Sequence, residues 1–309
     1  MPSPHPPRLA RRSLRLLRAG GAPGHPRLAH NPLASATRAV SARRRSIIGS
    51  RSSLNNLGVP SSIDFNSDLG EGAGTDAAIM PLITSANIAC GGHAGNENTM
   101  RATVELALRH RVAIGAHPGY PDRERFGRMP MDIPPRELIE TIRRQIDSLV
   151  GVASRLGARV THVKAHGALY NQGARDATIA RNIILGVQAA KGGRDLAIFA
   201  PPGSVMFEEA TGMGMKVARE GFVDRAYEPD GTLQSRSEAG SVLTDPADAV
   251  RQALSFAKNG GVTAVEGTFL KLTVDTLCVH GDTPGAADIA QAVRDALAKA
   301  KVKVAAFRS

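Results

Sequence analysis

Residues 63–72 read IDFNSDLGEG, a strand-like run with a polar side chain at every second position that ends in a glycine-rich turn. Residues two apart on a β-strand point to the same face, so Asp64, Asn66 and Asp68 share one side. Such a ladder carries a large free-energy penalty in an apolar interior unless its members are paired. The run predicts a strand whose polar face lines the interior or mouth of a barrel, either as a structural carboxylate network or as part of an active site.

Four further apolar runs also end at polar or glycine-rich loops, and each delivers a histidine there: His93, His117, His166 and His280. Parallel α/β barrels place their catalytic residues at the C-terminal ends of the strands. Near-continuous apolar runs that alternate with helical patterns indicate parallel strands buried on both faces. We therefore expect an α/β protein with a distorted TIM-like (β/α) barrel in a single domain, and an open doubly wound sheet as the second choice.

Local patterns place the remaining elements of the chain. Asp245-Pro246 and Thr283-Pro284 predict two helix starts, because proline at the first helical position needs no N–H donor. The segment Glu220–Val242 lacks helical periodicity and predicts a hairpin or flap over one end of the barrel. The predicted strands are Ile63–Leu69, Ser85–Cys90, Val112–Ala116, Val160–Lys164, Leu196–Ala200, Lys216–Ala218, Ala264–Thr268 and Thr276–Val279.

The charge of the chain is divided unevenly along its length. Residues 1–63 hold 11 Arg, no Lys and no acidic residue, which leaves 39 − 11 = 28 basic against 28 acidic side chains in residues 64–309. This neutral body removes the case for nucleic-acid binding, and no apolar stretch approaches the ~20 residues of a membrane span. We expect residues 1–61 to be a disordered basic extension, which could be a mis-assigned start, a targeting segment or an interaction arm. Residues 62–309 are then a cytoplasmic catalytic domain, or a mitochondrial one if the extension is a transit peptide.

Candidate metal ligands stand at three of the predicted strand ends. Asp68, His93 and His117 form a two-histidine, one-carboxylate set that suits a hydrolytic divalent metal. Metal-free acid–base roles for the same residues are equally consistent with the sequence, because single ligands on separate strands are a weaker signal than His-Glu-x-x-His. Cys90 and Cys278 adjoin these loops, where a cysteine is more often a small buried apolar residue than a ligand or nucleophile.

Charged residues that could meet an anionic substrate follow later in the chain. Lys164 lies at a predicted strand end, and a lysine aimed into a barrel mouth is unfavourable unless it meets a carboxylate, a metal-bound anion or substrate. Arg225 and Arg236 in the predicted flap could clamp a carboxylate, although solvated arginines fit the pattern nearly as well. The full chain lacks the Gly-x4-Gly-Lys-Ser/Thr phosphate loop, so it predicts no nucleotide site of its own.

Six blocks of the chain together closely resemble the LamB/YcsF family, the A subunits of bacterial 5-oxoprolinase. They occur in family order and cover nearly all of the chain from Ile63 onward, whereas the first 60 residues have no counterpart. The family usually has proline at the position of Ala165 and a different residue at Gly92, before His93. The blocks are DFNSDLGEG (64–72), SANIACGGHAG (85–95), VAIGAHPGYPDRERFGR (112–128), HVKAHGALYN (162–171), FVDRAYEPDGTLQSRS (222–237) and CVHGD (278–282).

The resemblance implies a barrel related in architecture to metal-dependent deacetylases and an ATP-dependent opening of the 5-oxo-L-proline lactam to L-glutamate. ATP is then bound by or with two partners, the B and C subunits, which resemble the halves of a biotin-independent amidolyase. For the cofactors, a divalent metal bound by Asp68, His93 and His117 and metal-free acid–base chemistry by the same residues both stay open. A stand-alone metal-dependent deacetylase or amidohydrolase, and a non-catalytic protein that only binds the lactam, stay open as alternatives.

The residues and the resemblance together predict the roles of individual side chains. ATP would phosphorylate the amide oxygen. Water activated by Asp68, His93 or His117 would then add to the same carbon. Lys164 and His166 would neutralise the developing charge, and Arg225 or Arg236 would hold the substrate carboxylate. The predicted catalytic residues are Asp68, His93, His117, Lys164 and His166. The predicted substrate-binding residues are Asn66, Glu71, Tyr170, Asn171, Arg225, Arg236, His280 and Asp282.

Overall fold

The structure, a computed structural model, describes residues 62–308, so the predicted extension at residues 1–61 lies outside the described residues. Within the described part, seven parallel strands form a closed barrel in chain order. The last barrel strand pairs with both the sixth and the first, which closes the barrel. The barrel strands are β1 (Asp64–Leu69), β2 (Ser85–Ala89), β3 (Ala113–His117), β4 (Val160–Lys164), β5 (Ala197–Ala200), β6 (Lys216–Phe222) and β9 (Thr276–His280).

Helices and one small hairpin connect the barrel strands. The hairpin pairs β7 (Gly261–Thr263) antiparallel with β8 (Phe269–Lys271). None of the helices in residues 62–308 is long and apolar enough to cross a membrane. The α-helices are α1 (Asp76–Ile79), α2 (Glu97–His110), α3 (Pro135–Arg155), α4 (Gly167–Gly173), α5 (Ala177–Ala189), α6 (Val205–Gly212), α7 (Pro246–Leu254) and α8 (Ala286–Lys299).

The lower layer of the barrel interior is a paired polar network, as the period-two pattern of β1 predicts. The carboxylate of Asp64 accepts hydrogen bonds from the hydroxyls of Thr84 at 2.6 Å, Ser85 at 2.7 Å and Thr276 at 2.5 Å. Burial raises the pKa of Asp64, and these three hydroxyls partly oppose the effect of burial. At this layer the structural-network interpretation of the ladder therefore holds.

The middle layer contains an imidazole that depends on a neighbouring glycine. His162 stacks on Phe199 with ring centroids 4.3 Å apart, and its Nε2 lies 3.0 Å from Asn87 Oδ1. Asn87 in turn donates to Asn66 Oδ1 at 2.8 Å. A Cβ at Gly115 on β3 would overlap the His162 ring. Only glycine at this position leaves room for the imidazole inside the barrel.

We expect Gly115→Ala to lower the free energy of unfolding by about 1–3 kcal/mol, because overpacking a filled interior displaces its side chains. The matched control is Gly151→Ala within α3, where the nearest atom would lie 3.6 Å from the new Cβ. There alanine is favoured over glycine by ~0.5–1 kcal/mol. Urea denaturation of both variants measures the difference, and a Gly115→Ala protein as stable as wild type would contradict the expectation.

Six of the seven barrel strands were predicted to within one residue at each end. The exception is β6, which was predicted to stop at Ala218 but continues to Phe222. Arg219 and Glu220 interrupt the apolar pattern there, yet both have partners within the fold. Arg219 donates to the Asp275 carboxylate at 2.7 Å, and Glu220 turns inward, where it meets Lys164.

Two local predictions were wrong. Ala264–Thr268 is not a strand but the turn of the β7–β8 hairpin, in which the Ala264 N–H donates to the Thr268 carbonyl at 2.8 Å and Gly267 has a φ of +87°. Helix α8 does not begin at Thr283-Pro284, because the Thr283 hydroxyl donates to Asp224 at 2.6 Å and the helix follows Gly285. The helix start at Asp245 was correct, since its carboxylate accepts from the Ala247 N–H at 2.8 Å.

Candidate functional site

A cavity of about 860 Å³ opens at the C-terminal ends of the barrel strands. Part of its wall comes from residues 223–242, here called the flap, in which antiparallel bridges join Arg225 to Val242 and Tyr227 to Leu233. The hairpin or flap predicted for this segment is therefore present, beginning after β6. The strand ends contribute Asp68, His117, Lys164, Glu220, Phe222 and His280.

Lys164 is the buried charge at the centre of these strand ends. Its Nζ lies 2.9 Å from Asp68 Oδ1, 2.9 Å from Glu220 Oε1 and 3.0 Å from Cys278 Sγ. Burial alone would lower the pKa of Lys164, but Asp68 and Glu220 hold it well above its usual value. The ammonium is thus a fixed positive charge beside the cavity. Burial of Cys278 raises the pKa of its thiol well above the usual value, so Cys278 is a protonated, buried side chain.

Asp68 connects Lys164 to the histidines of the neighbouring strand ends. Its Oδ2 lies 3.4 Å from His117 Nε2, and its Oδ1 accepts from the Asn87 side chain at 2.8 Å. Burial would raise the pKa of Asp68, but the charges of His117 and Lys164 hold it well below its usual range. Asp68 is therefore a charged carboxylate that contacts both a fixed cation and an imidazole.

Three histidines converge on Glu71 next to Asp68. Glu71 Oε1 lies 2.9 Å from His93 Nε2, 3.3 Å from His166 Nδ1 and 3.7 Å from His117 Nε2. His93 and His166 stack with ring centroids 3.6 Å apart. Burial lowers the pKa of His93 to about 3, so its ring is neutral near pH 7. These four side chains form what we call the histidine cluster.

The histidine cluster differs from the predicted metal set Asp68, His93 and His117. One ligand atom from each cluster member lies within 4.8 Å of all the others, whereas Asp68 groups with Cys278 and His280. His93 does not line the cavity and lies against Glu71 instead. Glu71, predicted to bind substrate, thus takes the position beside the histidines that was expected for Asp68.

The predicted substrate-binding residues separate into two groups. Asn66 is fully buried one layer below Asp68, where it donates to Glu220 Oε1 at 3.1 Å and Thr276 Oγ1 at 2.7 Å. The assignment of Asn66 to substrate binding is therefore corrected, because the pleat of β1 places it beneath the cavity. The members that do line the cavity are Glu71, Tyr170, Asn171, Arg225, Arg236, His280 and Asp282.

The two flap arginines have different surroundings. The Arg225 guanidinium donates to the carbonyls of Gln234 at 2.5 Å and Ser241 at 3.1 Å, and therefore braces the flap. Burial lowers the pKa of Arg225 to about 10. Arg236 lies at the cavity wall, 3.8 Å from Asp282 Oδ1. Arg128 ends a glycine-rich loop whose sequence suggests a binding loop, but it was not among the predicted site residues. It also lines the cavity and pairs with the other Asp282 oxygen.

Tyr170 and His280, which also line the cavity, each lie close to a buried carboxylate. Burial, together with the negative charge of Glu220, raises the pKa of Tyr170 well above its usual value. The Tyr170 hydroxyl is buried beside Glu220, which interacts with it, and it makes no other hydrogen bond among the described residues. The His280 ring lies 3.0 Å from Asp224, and although burial opposes it, this contact lowers the pKa of Asp224 to about 2.

Glu220 is the other functional residue that the sequence prediction missed. It was assigned to the flap because β6 was predicted too short, yet its side chain is fully buried against Lys164. The available signal was the alternation of Ala218, Glu220 and Phe222, which continues the inward face of the strand.

Comparison with known proteins gives a consistent result for the whole described domain. Residues 63–309 match the LamB/YcsF family. The chain is 46% identical over 250 residues to the 5-oxoprolinase A subunit of Methylococcus capsulatus, an alignment that covers 79% of this chain and 95% of that protein. It is 44% identical to the protein of the same name from Pyrococcus furiosus, over 78% of this chain and 96% of the relative. The crystal structure of the lactam utilization protein from Thermus thermophilus superposes with a TM-score of 0.75 at 43% identity, covering 80% of this chain and all of that one. The resemblance of the six sequence blocks is confirmed, and the chain belongs to the LamB/YcsF family.

Proposed function

We propose that this chain is the A subunit of an ATP-dependent 5-oxoprolinase, a hydrolase that opens the lactam of 5-oxo-L-proline to L-glutamate. The observation that carries the proposal is Lys164, a buried ammonium held between Asp68 and Glu220 beside the cavity. Relatives that bear the name of the 5-oxoprolinase A subunit, 44–46% identical over nearly their full length, support the substrate. A cyclic amide that carries a carboxylate needs both a strongly polar reaction centre and a cation for its acid group.

The cavity offers these two features at different places. Arg236 and Arg128 each lie next to one oxygen of Asp282 and would hold the substrate carboxylate by charge-assisted hydrogen bonds. Lys164 and Tyr170, which both line the cavity, would face the lactam oxygen. The lactam carbon would then stand near Asp68, which is charged and within reach of both Lys164 and His117.

The chemistry requires activation of a poor electrophile. Transfer of the ATP γ-phosphoryl group to the amide oxygen would release ADP and activate the carbon for addition of water. The C–N bond of the resulting adduct would then break, with a proton passing to the ring nitrogen, and a second water would hydrolyse the acyl phosphate to L-glutamate and phosphate. Asp68 or His117 would accept the proton of the first water, with His93 acting through Glu71. Lys164 and His166 would stabilise the negative charge that develops on oxygen or phosphate.

We assign ATP to a site formed by or with the B and C subunits in a cytoplasmic complex. A cavity of about 860 Å³ is at the upper end of the range for small-molecule sites, roughly 300–1,000 Å³. It is much larger than 5-oxoproline alone, so a second reactant has room beside the lactam. The missing phosphate loop supports a shared site in place of one built by this chain.

The test is 5-oxoproline-dependent ATP hydrolysis and glutamate release by this chain with and without the B and C subunits. We expect stoichiometric ADP and glutamate only when all three subunits and ATP are present. Glutamate release by this chain alone, without ATP, would instead identify a stand-alone amidohydrolase, the alternative favoured by the histidine cluster. Full turnover of a complex in which Asp68 and His117 are both replaced would leave only a lactam-binding role.

Arg236→Ala is expected to raise the KM for 5-oxoproline by about 10- to 100-fold, with a smaller effect on kcat. This is the size of effect expected when one hydrogen bond to a charged group is lost. The matched control is Arg181→Ala, which removes an exposed arginine paired with Glu209 and outside the cavity. Steady-state kinetics of the reconstituted complex measure both values. An unchanged KM in the Arg236 variant would remove this residue from carboxylate binding.

A further inference from the structure

Two imidazoles of the histidine cluster face each other through one nitrogen of each ring, His117 Nε2 and His166 Nδ1. His117 Nδ1 lies 2.8 Å from the Lys164 carbonyl oxygen, and His166 Nε2 lies 2.8 Å from the Phe126 carbonyl oxygen. A carbonyl oxygen only accepts hydrogen bonds, so these two nitrogens carry the ring protons in the neutral tautomers. The lone pairs of His117 Nε2 and His166 Nδ1 then point at each other across 3.0 Å. Two rings in this arrangement need a cation between them, either a proton that makes His117 an imidazolium or a metal ion.

A shared proton would satisfy this pair of nitrogens, but the arrangement of all four side chains also fits a metal ion. Glu71 Oε1 and His93 Nε2 converge on the same point, and one ligand atom from each of the four residues lies within 4.8 Å of the others. Ligands bound tetrahedrally to zinc at 2.0–2.1 Å stand about 3.3 Å apart. The distances from Glu71 Oε1 to the three imidazole nitrogens are 2.9, 3.3 and 3.7 Å, and the nitrogens of His117 and His166 lie 3.0 Å apart. These distances lie on both sides of about 3.3 Å, the ligand separation in a tetrahedral zinc site.

The loop after β3 is shaped to hold these rings. A Cβ at Gly119 would lie 2.7 Å from His93 Nδ1, and one at Gly127 would lie 2.7 Å from His93 Cβ. Phe126 adopts a φ of +55°, a left-handed conformation that is unfavourable for a bulky side chain. In this conformation its carbonyl accepts from His166 Nε2. Outer hydrogen bonds of this kind fix the tautomer and orientation of metal-binding imidazoles.

We propose that Glu71, His93, His117 and His166 bind one divalent transition-metal ion of the zinc class. Three imidazole nitrogens and one carboxylate oxygen are a donor set that suits zinc. All four side chains are nearly buried, with at most 7% of the side chain exposed. Three of them line the cavity, so the ion lies at its wall beside Asp68. This site stands independently of the proposed lactam chemistry.

The experiment measures metal directly in the full-length chain, purified without a histidine tag. Elemental analysis is expected to find about one zinc-class ion per chain. After chelation, titration with Co²⁺ is expected to produce the visible absorption of a four-coordinate ion, saturating at one equivalent. A wild-type protein that holds no ion as purified and gives no such spectrum would overturn the proposal, whatever the outcome of the 5-oxoproline assay.

Three variants assign the ligands. Glu71→Gln and His166→Ala are expected to weaken Co²⁺ binding by at least about 10- to 100-fold. Loss of a residue that only hydrogen-bonds to a metal ligand has an effect of this size, so loss of a ligand should cost no less. His110→Ala, at the end of α2 and outside the cluster, is the matched control. Asp68→Asn is expected to keep the ion, because Asp68 is not a member. Retention of the ion by both cluster variants, or its loss in Asp68→Asn, would overturn the assignment.

Discussion

Replacement of Lys164 with methionine is expected to lower the turnover of the complete complex by ~10²–10³-fold, the usual effect of removing one preorganised donor to a developing oxyanion. Methionine retains the length of the side chain but not its charge. The lactam oxygen would lose the positive group that lies beside it, so kcat is expected to fall more than the KM for 5-oxoproline rises. Coupled ATP hydrolysis and glutamate release measure this change.

The same substitution also affects folding, which a second variant separates from chemistry. Loss of Lys164 leaves Asp68 and Glu220 buried without a cation, and breaking a buried ion pair destabilises a protein by about 3–5 kcal/mol. Lys164→Met combined with Glu220→Gln removes one charge of each sign and is expected to recover part of that stability. Turnover is expected to stay low in the double variant. Recovery of turnover to within a few-fold of wild type would show that Lys164 acts only in folding.

The barrel could be predicted from sequence because its strands carry their own signals. In β1 the period-two polarity and the following glycines are local, and the strand was predicted to within one residue. The last part of β6 was missed because its polar residues are stabilised by distant partners, Asp275 for Arg219 and Lys164 for Glu220. A pattern along one strand does not contain information on such cross-barrel pairs.

The candidate site was predicted less completely, for a geometric reason. Spacing correctly placed Asp68, His117 and Lys164 at the same end of the barrel, since these residues lie at the C-terminal ends of parallel strands. It named Glu71 as a substrate-binding residue but did not place it beside the histidines, because the chain bends at Gly70, which has a φ of +73°. The turn brings Glu71 back onto the histidines. The sequence also did not show how deep each residue of β1 lies in the barrel. Asn66 is buried one layer below Asp68 and does not reach the cavity.

Asp68→Asn is expected to reduce kcat of the complex by ~10²–10⁴-fold, the range for loss of a positioned general base. Asparagine has nearly the same shape, so the cavity is retained. The charge is lost, however, and with it the group that contacts both Lys164 Nζ at 2.9 Å and His117 Nε2 at 3.4 Å. The neighbouring carboxylates do not replace it, because Glu71 contacts His117 whereas Glu220 contacts Lys164.

The matched control for this variant is Asp64→Asn, which makes the same chemical change on the same face of the same strand. Asp64 lies two layers below the cavity mouth and accepts from three hydroxyls. We expect its replacement to lower the free energy of unfolding by about 1–3 kcal/mol through an impaired buried network, with turnover per folded protein within a few-fold of wild type. Equal losses of turnover in both variants would mean that the ladder acts as one structural unit. If only Asp68→Asn loses turnover, Asp68 has a catalytic role that the structural network around Asp64 does not share. If this variant also still binds Co²⁺, that role is distinct from metal binding by the histidine cluster.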